Sequence, residues 1–430
     1  SSPLPMKPVH HPITRWLSTT STFWFSLYTA MTAFCLYTCI FALRKAFGVA
    51  TYEGMVWAGA SFKVWMVISQ MLGYMLSKFI GIKVVSELGA HGRAKGILLM
   101  VSIATVAWLL FALTPSPYSL IFIFLNGLPL GMVWGMVFGY LEGRKTTEVL
   151  GASLSVSFIF SDGFAKTIGG WTMSAWGTSE LWMPFVTASL FFLPLLVFLF
   201  LLDKIPLPSA EDEALRTKRL PMTGRDRLKF TFLFLPGLVF LVLTYMMLTI
   251  FRDFRSNFSA DIFKLIGETD TSIFIRTESL VSLIVLIVIA SLMVIKNNFY
   301  AMMINHGIVL LGLLMVGLGM WLFQHHFINP TSWMVMIGMG LYFGYIQFNS
   351  IFFDRLIATF RIVSTVGFLI YLADSVGYLG SMSVVLFKEF GSELNWLDFF
   401  ISAGYVVSLA GSLLITGSFI YFRKKYAGWP

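Results

Sequence analysis

The chemistry open to this chain rests on charged side chains set inside apolar sequence. A charge at membrane depth costs at least ~2.5 kcal/mol, so each such residue calls for a partner or a task. The first group is cationic: Arg44 and Lys45 in YTCIFALRKAFGVATYEG, Lys78 in LGYMLSKFIGIK and Arg252 in YMMLTIFRDFR. An arginine presents a rigid fork of donors matched to carboxylate or phosphate, and two forks from distant parts of the chain would clamp a tetrahedral anion. The competing reading places Arg44, Lys45 and Arg252 at outer helix ends, reaching to water or lipid headgroups. Lys78 falls near the cytoplasmic end of its span, where the same two readings apply. The second group is Asp162 in FIFSDGFAKTIGG and Asp374 in FLIYLADSVGYLGS, with Lys166 four residues beyond Asp162 on the same helical face. A buried carboxylate whose pairing changes between states could carry a proton, line a site or staple two helices. Lys63, Arg276 and Glu278 are expected as solvated gate or rim charges of a polar network, and His306 as a structural residue.

Only membrane-spanning helices could hold these groups where they fall. Of 430 residues, 57% are hydrophobic and 12% charged, about half the charge of a soluble globular protein. A soluble enzyme is excluded, and the net charge of +9 is dispersed between apolar runs, so no nucleic-acid partner is expected. Twelve stretches reach the length needed to cross a bilayer: 20–49, 54–79, 94–114, 117–141, 150–176, 181–203, 230–254, 271–295, 299–324, 331–353, 357–387 and 395–422. Residues 1–203 and 230–430 then form two six-helix bundles joined by a polar connection, 204–229. That connection carries Pro206, Pro208, an acidic run (Glu211, Asp212, Glu213) and a basic run (Arg216, Lys218, Arg219). Most of the 30 basic residues fall at the termini and in loops after even-numbered spans, which sets both termini and the central loop in the cytoplasm. No cleavable leader is expected, because Lys7 and Arg15 precede a long span without a small-residue cleavage site. Cys35 and Cys39, four apart on a helix, are expected neither to bridge nor to bind zinc.

The two halves repeat. GMVWGMVFGYLEGRKTTE answers GMGLYFGYIQFNSIFFDRLIA, and the segments around Asp162 and Asp374 follow at the same shift of 211 to 212 residues, which also pairs Arg144 with Arg355. Arg44 falls opposite Arg252, and Lys63 opposite Arg276. Gly127, Gly131, Gly135 and Gly139, with Gly338, Gly340 and Gly344, are expected to let helices approach closely.

With twelve spans, a 6+6 parallel repeat and a cytoplasmic central loop, the chain resembles the major facilitator superfamily over its whole length. The superfamily's loop between spans two and three survives as GYMLSKFIGIKVVSE without its aspartate, for which Glu87 or Glu142 could substitute. LRKAF (Leu43 to Phe47), SKFIG (Ser77 to Gly81) and TIGG (Thr167 to Gly170) resemble the organophosphate:phosphate antiporter branch, including bacterial members without an assigned substrate. That resemblance implies phosphate binding by Arg44 and, less closely matched, Arg252. It also places Lys78 on the branch's span-two lysine and Lys166 near its span-five histidine.

The expected fold is therefore all-α and membrane-embedded, and the expected function is secondary transport of a small anionic solute, phosphorylated or carboxylated. Arg44, Arg252, Lys78 and Lys166 would bind it, while Asp162, Asp374, Lys63 and Arg276 would form a coupling or polar network. A proton or phosphate counter-substrate, a lipid environment, a bacterial inner membrane and a monomer complete the expectation. No Walker-type loop, HExxH or haem-ligand pair is present, so neither metal nor cofactor is expected. The alternatives are a proton-coupled carrier of a neutral or lipid-like substrate, which would use Asp162 or Asp374, and a transport-inactive scaffold or sensor.

Overall fold

The computed structural model describes residues 11–87, 89–215, 223–362 and 366–430. The basic run Arg216, Lys218 and Arg219 lies outside the described residues, as do the side chains of Lys83 and Glu87.

Helices begin where a side-chain oxygen can take up the first unpaired backbone N–H groups. A short helix α1 (Pro12–Thr19) precedes α2 (Thr22–Lys45), whose N-cap is Ser21. After α2 the backbone tightens into a 3-10 turn, Ala46–Val49. There follow α3 (Phe62–Glu87), α4 (Gly89–Leu113), α5 (Leu120–Leu141), α6 (Thr147–Trp176) and α7 (Met183–Asp203). The central connection contains α8 (Ala210–Leu215) and α9 (Gly224–Leu233), the latter opened by a reciprocal Thr223–Asp226 cap. The second half runs α10 (Leu235–Leu265), α11 (Ser272–Met293), α12 (Asn298–Gln324), α13 (Pro330–Ser350), α14 (Phe352–Phe360), α15 (Val366–Gly391) and α16 (Trp396–Ala427). Asn297, Asn329 and Asn395 cap α12, α13 and α16 through their side-chain oxygens.

Among the described residues, nine helices are each long and apolar enough to cross a membrane, and a tenth span is the pair α13 and α14, bent by 51°. The helices α3 and α6, of 26 and 30 residues, complete the two sets of six. The six long helices of the second half start 209 to 219 residues after their counterparts, which is the repeat expressed in three dimensions.

Two boundaries differ from the sequence expectation. Residues 54–61 do not begin the second span but form a hairpin, Val56–Trp57 paired with Ala60–Ser61, turned by Ala58 and Gly59 at φ of +49° and +79°. Two consecutive positive φ values match the twist of a two-residue hairpin, and glycine supplies one at no steric cost. The seventh span continues eleven residues past 254, so Arg252 lies thirteen residues, about 20 Å of helix, before the end of α10. Arg252 is an interior residue, not an outer-end one.

The halves meet closely on the side opposite the central loop. There Lys63 Nζ pairs with Asp261 at 2.5 Å, Lys45 Nζ donates to Asn257 Oδ1 at 2.7 Å, and Thr167 Oγ1 donates to the Thr271 carbonyl at 3.0 Å. The Ser61 amide donates to Glu389 at 2.7 Å, tying the hairpin of one half to α15 of the other. Gly163 of α6 lies against the Phe274 carbonyl of α11 so tightly that a Cβ would stand 2.4 Å from that oxygen. On the central-loop side, described contacts between the halves are looser: the ring pairs Tyr74–Tyr378 and Phe79–Tyr371, each 5.7 Å apart, and Arg355 at 3.6 Å from Glu148. The structure is thus sealed on the side opposite the central loop.

Candidate functional site

At the middle of the molecule, between the halves, lies a cavity of about 80 Å³. Arg44, Lys45 and Lys78 reach it from the first half and Arg252 from the second; Asp162, Asp253 and Asp374 also line it. Tyrosines 37, 74, 342, 345 and 378 supply much of the wall.

Arg44 occupies the last turn of α2, where the 3-10 turn takes the chain out of register for i to i+4 bonds. The carbonyls so freed are claimed by side chains from three other helices. Trp108 Nε1 and Asn126 Nδ2 donate to Leu43 O at 2.5 and 3.1 Å, and Gln70 Nε2 donates to Arg44 O at 2.8 Å. Gln70 also donates to Asn126 Oδ1 at 2.8 Å, closing a buried network that fixes the backbone beneath the arginine. The guanidinium itself lies over the Tyr74 ring, its carbon 3.7 Å from the centroid. It is 9% exposed, and its Nε has no hydrogen-bond partner. Lys78 Nζ stands 5.0 Å from the centre of the same ring. Tyrosine faces attract cations while leaving their N–H donors unspent, so this half of the cavity presents positive charge with vacant donors.

The Arg252 guanidinium is engaged instead. Its Nε and Nη2 donate to Asp253 Oδ1 at 2.9 and 2.5 Å, and Nη1 donates to the Tyr345 hydroxyl. Asp253 Oδ2 accepts from Ser381 at 2.8 Å. Asp374 accepts from the Tyr245 hydroxyl at 2.6 Å. Asp162 accepts from Lys166 at 2.9 Å and, across the halves, from Ser256 at 2.8 Å.

Several predicted site residues stand elsewhere. Lys166 does not line the cavity; its ammonium is buried and donates to Asp162, to the Ser256 carbonyl and to Ser259 Oγ, because a buried Lys at this depth must saturate its three donors internally. Lys63 is no solvated rim charge: it is 1% exposed and held by Asp261 and by the Gly48 carbonyl at 3.1 Å. Glu278 is buried too, bonded to Arg255 at 2.6 Å, and that arginine also donates to Met334 O at 2.9 Å. Arg276 alone of that group is a surface charge, 3.3 Å from exposed Asp270 and remote from the cavity. His306 binds Met302 O and Ser418 Oγ, both at 2.8 Å. The glycines of α5 do pack: a Cβ on Gly127 or Gly131 would strike Gln70 O or Ser77 Oγ of α3. Cys35 and Cys39 are free thiols.

The sequence reading passed over Asp253, Arg255 and Asp261. The first two stand in the same FRDFR run as Arg252, where an Asp between two arginines inside an apolar helix is the signal that could have found them.

Residues 46–425 match a family described as a family of unknown function, DUF5690. No curated protein matches the chain. Among solved structures, it is similar to the inward-open xylose transporter XylE from E. coli, with 12% identity, a TM-score of 0.60, and coverage of 95% of this chain and 97% of that one. A bacterial homologue of the human drug peptide transporters PepT1 and PepT2 aligns at 12% identity and a TM-score of 0.59, over 93% of this chain and 99% of that one. A bacterial homologue of the human lysosomal transporter Spinster, inward-facing and unoccupied, aligns at 13% identity and 0.59, over 94% and 98%. At such identities the likeness is one of fold, and the fold is that of the major facilitator superfamily.

Proposed function

The chain belongs to DUF5690, a family of unknown function, and from its fold and cavity we propose that it is a secondary transporter moving a small anionic solute by alternating access. The observation that carries this reading is Arg44: a buried guanidinium with a vacant Nε, aimed into a cavity shared with Lys78 and, from the opposite half, Arg252. A site at the interface of two repeats is where rocking of one half against the other would expose a solute to each side in turn. The anionic group would seat between Arg44 and Lys78 and compete for Arg252, while aromatic faces, Phe41, Trp134 and Phe158 among them, would carry the rest of the molecule. A phosphate monoester or a carboxylate fits this donor set. The sealed outer side corresponds to the state open toward the cytoplasm if the termini lie there, as the distribution of basic residues supports. The reading takes the protein as a monomer in a bacterial inner membrane, without a resident metal or cofactor.

Ligand-induced stabilisation tests it, since a solute that binds only the folded protein raises the melting temperature by mass action. Sugar phosphates, glycerol phosphate, inorganic phosphate, dicarboxylates, peptides and neutral sugars would be compared on wild type and Arg44→Ala. An anion is expected to stabilise wild type alone. Stabilisation only by neutral compounds, or equal response of the variant, would exclude the anion site.

A further inference from the structure

We propose that Asp253 is the proton carrier of this site: it holds Arg252 while the cavity is empty and takes up a proton when an incoming anion claims that guanidinium, so that anion and proton cross together. The inference rests on the anion-transport reading above and adds its driving ion.

Arg252 and Asp253 are consecutive on α10, so their side chains leave the helix in different directions. The arginine nevertheless turns back to place two donors on Asp253 Oδ1, which leaves that carboxylate acting as an internal anion in the substrate's place. Asp253 is 3% exposed and lines the cavity. Its described hydrogen bonds come from Arg252 and Ser381 alone. When a solute anion takes the guanidinium fork, Asp253 keeps only the Ser381 hydroxyl as a hydrogen-bond donor, with the Lys45 ammonium, itself bonded to Asn257, as a more distant cation, and gains a negative neighbour in a poorly solvated place. A buried carboxylate that loses its cation and faces like charge is resolved by protonation.

The other carboxylates of the cavity do not meet this condition. Asp162 is neutralised by Lys166, which stands outside the cavity wall and is not freed by a solute. Asp374 is held by the neutral Tyr245 hydroxyl and bonds no cavity cation among the described contacts. Coupling thus moves from the two aspartates marked by the repeat to the one beside the second arginine. The groups facing Asp253 across the cavity are Tyr37, Arg44 and Lys45 from α2, Tyr74 and Lys78 from α3, Asp162 from α6, Tyr342 and Tyr345 from α13, and Asp374 and Tyr378 from α15. The 3-10 turn against α10 has no titratable side chain, and around Asp253 α16 meets α10 through Trp396, Phe399 and Phe400.

The step is a proton transfer without redox change. The Asp253 carboxylate accepts one proton from water on the side where the cavity is open. After the halves rock and the anion leaves, Arg252 returns to Asp253 and the proton departs to the other side. One proton accompanies each anion.

The test uses the full chain in proteoliposomes with succinate, inorganic phosphate and glycerol phosphate as probes, in wild type, Arg44→Ala, Asp253→Asn, Asp253→Glu and Ser381→Ala. Each probe is measured for exchange at equal pH and for accumulation driven by an inward tenfold proton gradient; the anion's own ionisation is common to every variant. Wild type is expected to concentrate at least one probe several-fold. In Asp253→Asn the inside-to-outside ratio should fall to about one whatever exchange remains, and Asp253→Glu should restore part of it. Ser381→Ala leaves the carboxylate but removes a donor to it, so the pH for half-maximal accumulation should rise by about one unit, the size expected for one hydrogen bond to a charged group. That variant keeps the proposal testable if Asp253→Asn does not fold. Accumulation by Asp253→Asn equal to wild type, or an unmoved pH midpoint in Ser381→Ala, overturns the role of Asp253 alone. Arg44-dependent exchange without proton-driven accumulation in wild type overturns proton coupling. No Arg44-dependent exchange of any probe overturns the anion reading beneath it.

Discussion

Replacing Gly163 by alanine is expected to push the molecule out of the state sealed opposite the central loop. In the structure the added Cβ would stand 2.4 Å from the Phe274 carbonyl and 2.7 Å from Glu278 Cβ, where ordinary contact begins near 3.4 Å. The backbone of α11 would therefore have to retreat by about 1 Å from α6, and that contact joins the two halves on the side where they are closed. Overpacking of this kind costs about 1–3 kcal/mol. Charged to the sealed state alone, it multiplies the open-to-sealed ratio by about 5- to 150-fold at RT of ~0.59 kcal/mol. Spin labels at Ser179→Cys and Thr269→Cys, exposed positions of opposite halves on the sealed side, in a background lacking Cys35 and Cys39, would report the shift as a longer distance population. Gly127→Ala supplies the control. Its Cβ would meet Gln70 O at the same 2.4 Å, but inside the first half, so it should lower stability without changing the distance distribution. An unshifted distribution in folded Gly163→Ala, or an equal shift in Gly127→Ala, would refute the argument.

Lys63→Ala strands Asp261 in the sealed contact between the halves and should cost about 3 kcal/mol, read from the melting transition, whereas Lys63→Met combined with Asp261→Leu should recover most of it. Arg255→Ala leaves Glu278 buried without its cation and should lower stability by about 3–5 kcal/mol, while Arg276→Ala, which breaks an exposed pair, should change it by less than about 1 kcal/mol. Asn126→Leu removes the donor shared by Leu43 O and Ala104 O and should cost about 1–3 kcal/mol in chemical denaturation. The same variant should weaken anion binding, because the backbone carrying Arg44 loses one of its supports.

The fold was legible because hydrophobic length is a coarse and additive signal: a run of apolar residues fixes a span whatever its neighbours do. The order of the spans, the central connection and the doubled half followed from it. Boundaries were less readable where local turn chemistry intervened. Val56 and Trp57 look like the start of a span by hydropathy, yet Ala58 and Gly59 turn them back on Ala60 and Ser61. The polar tail of α10, RDFRSNFSADIFKL, reads as a loop by composition, and is helical because its charges find partners on other helices. Arg44, Lys78 and Arg252 could be marked from sequence because cations in apolar runs are costly. Their partners could not, since Ser381, Tyr345 and Tyr74 approach through tertiary packing that no spacing encodes. Lys166 shows the limit: its charge and depth matched a binding residue, but only the structure places its ammonium on Asp162, Ser256 and Ser259.

The most direct test of the account is counterflow in proteoliposomes. Vesicles loaded with an unlabelled anion that stabilises the protein would be diluted into a trace of the same labelled anion, with wild type and Arg44→Ala compared at matched protein content. Transient uptake by wild type, reduced by roughly 10- to 150-fold in Arg44→Ala as expected for loss of a charge-assisted pair, is the result this account predicts. Uptake of anions that is indifferent to Arg44, or counterflow of neutral solutes alone, would contradict it.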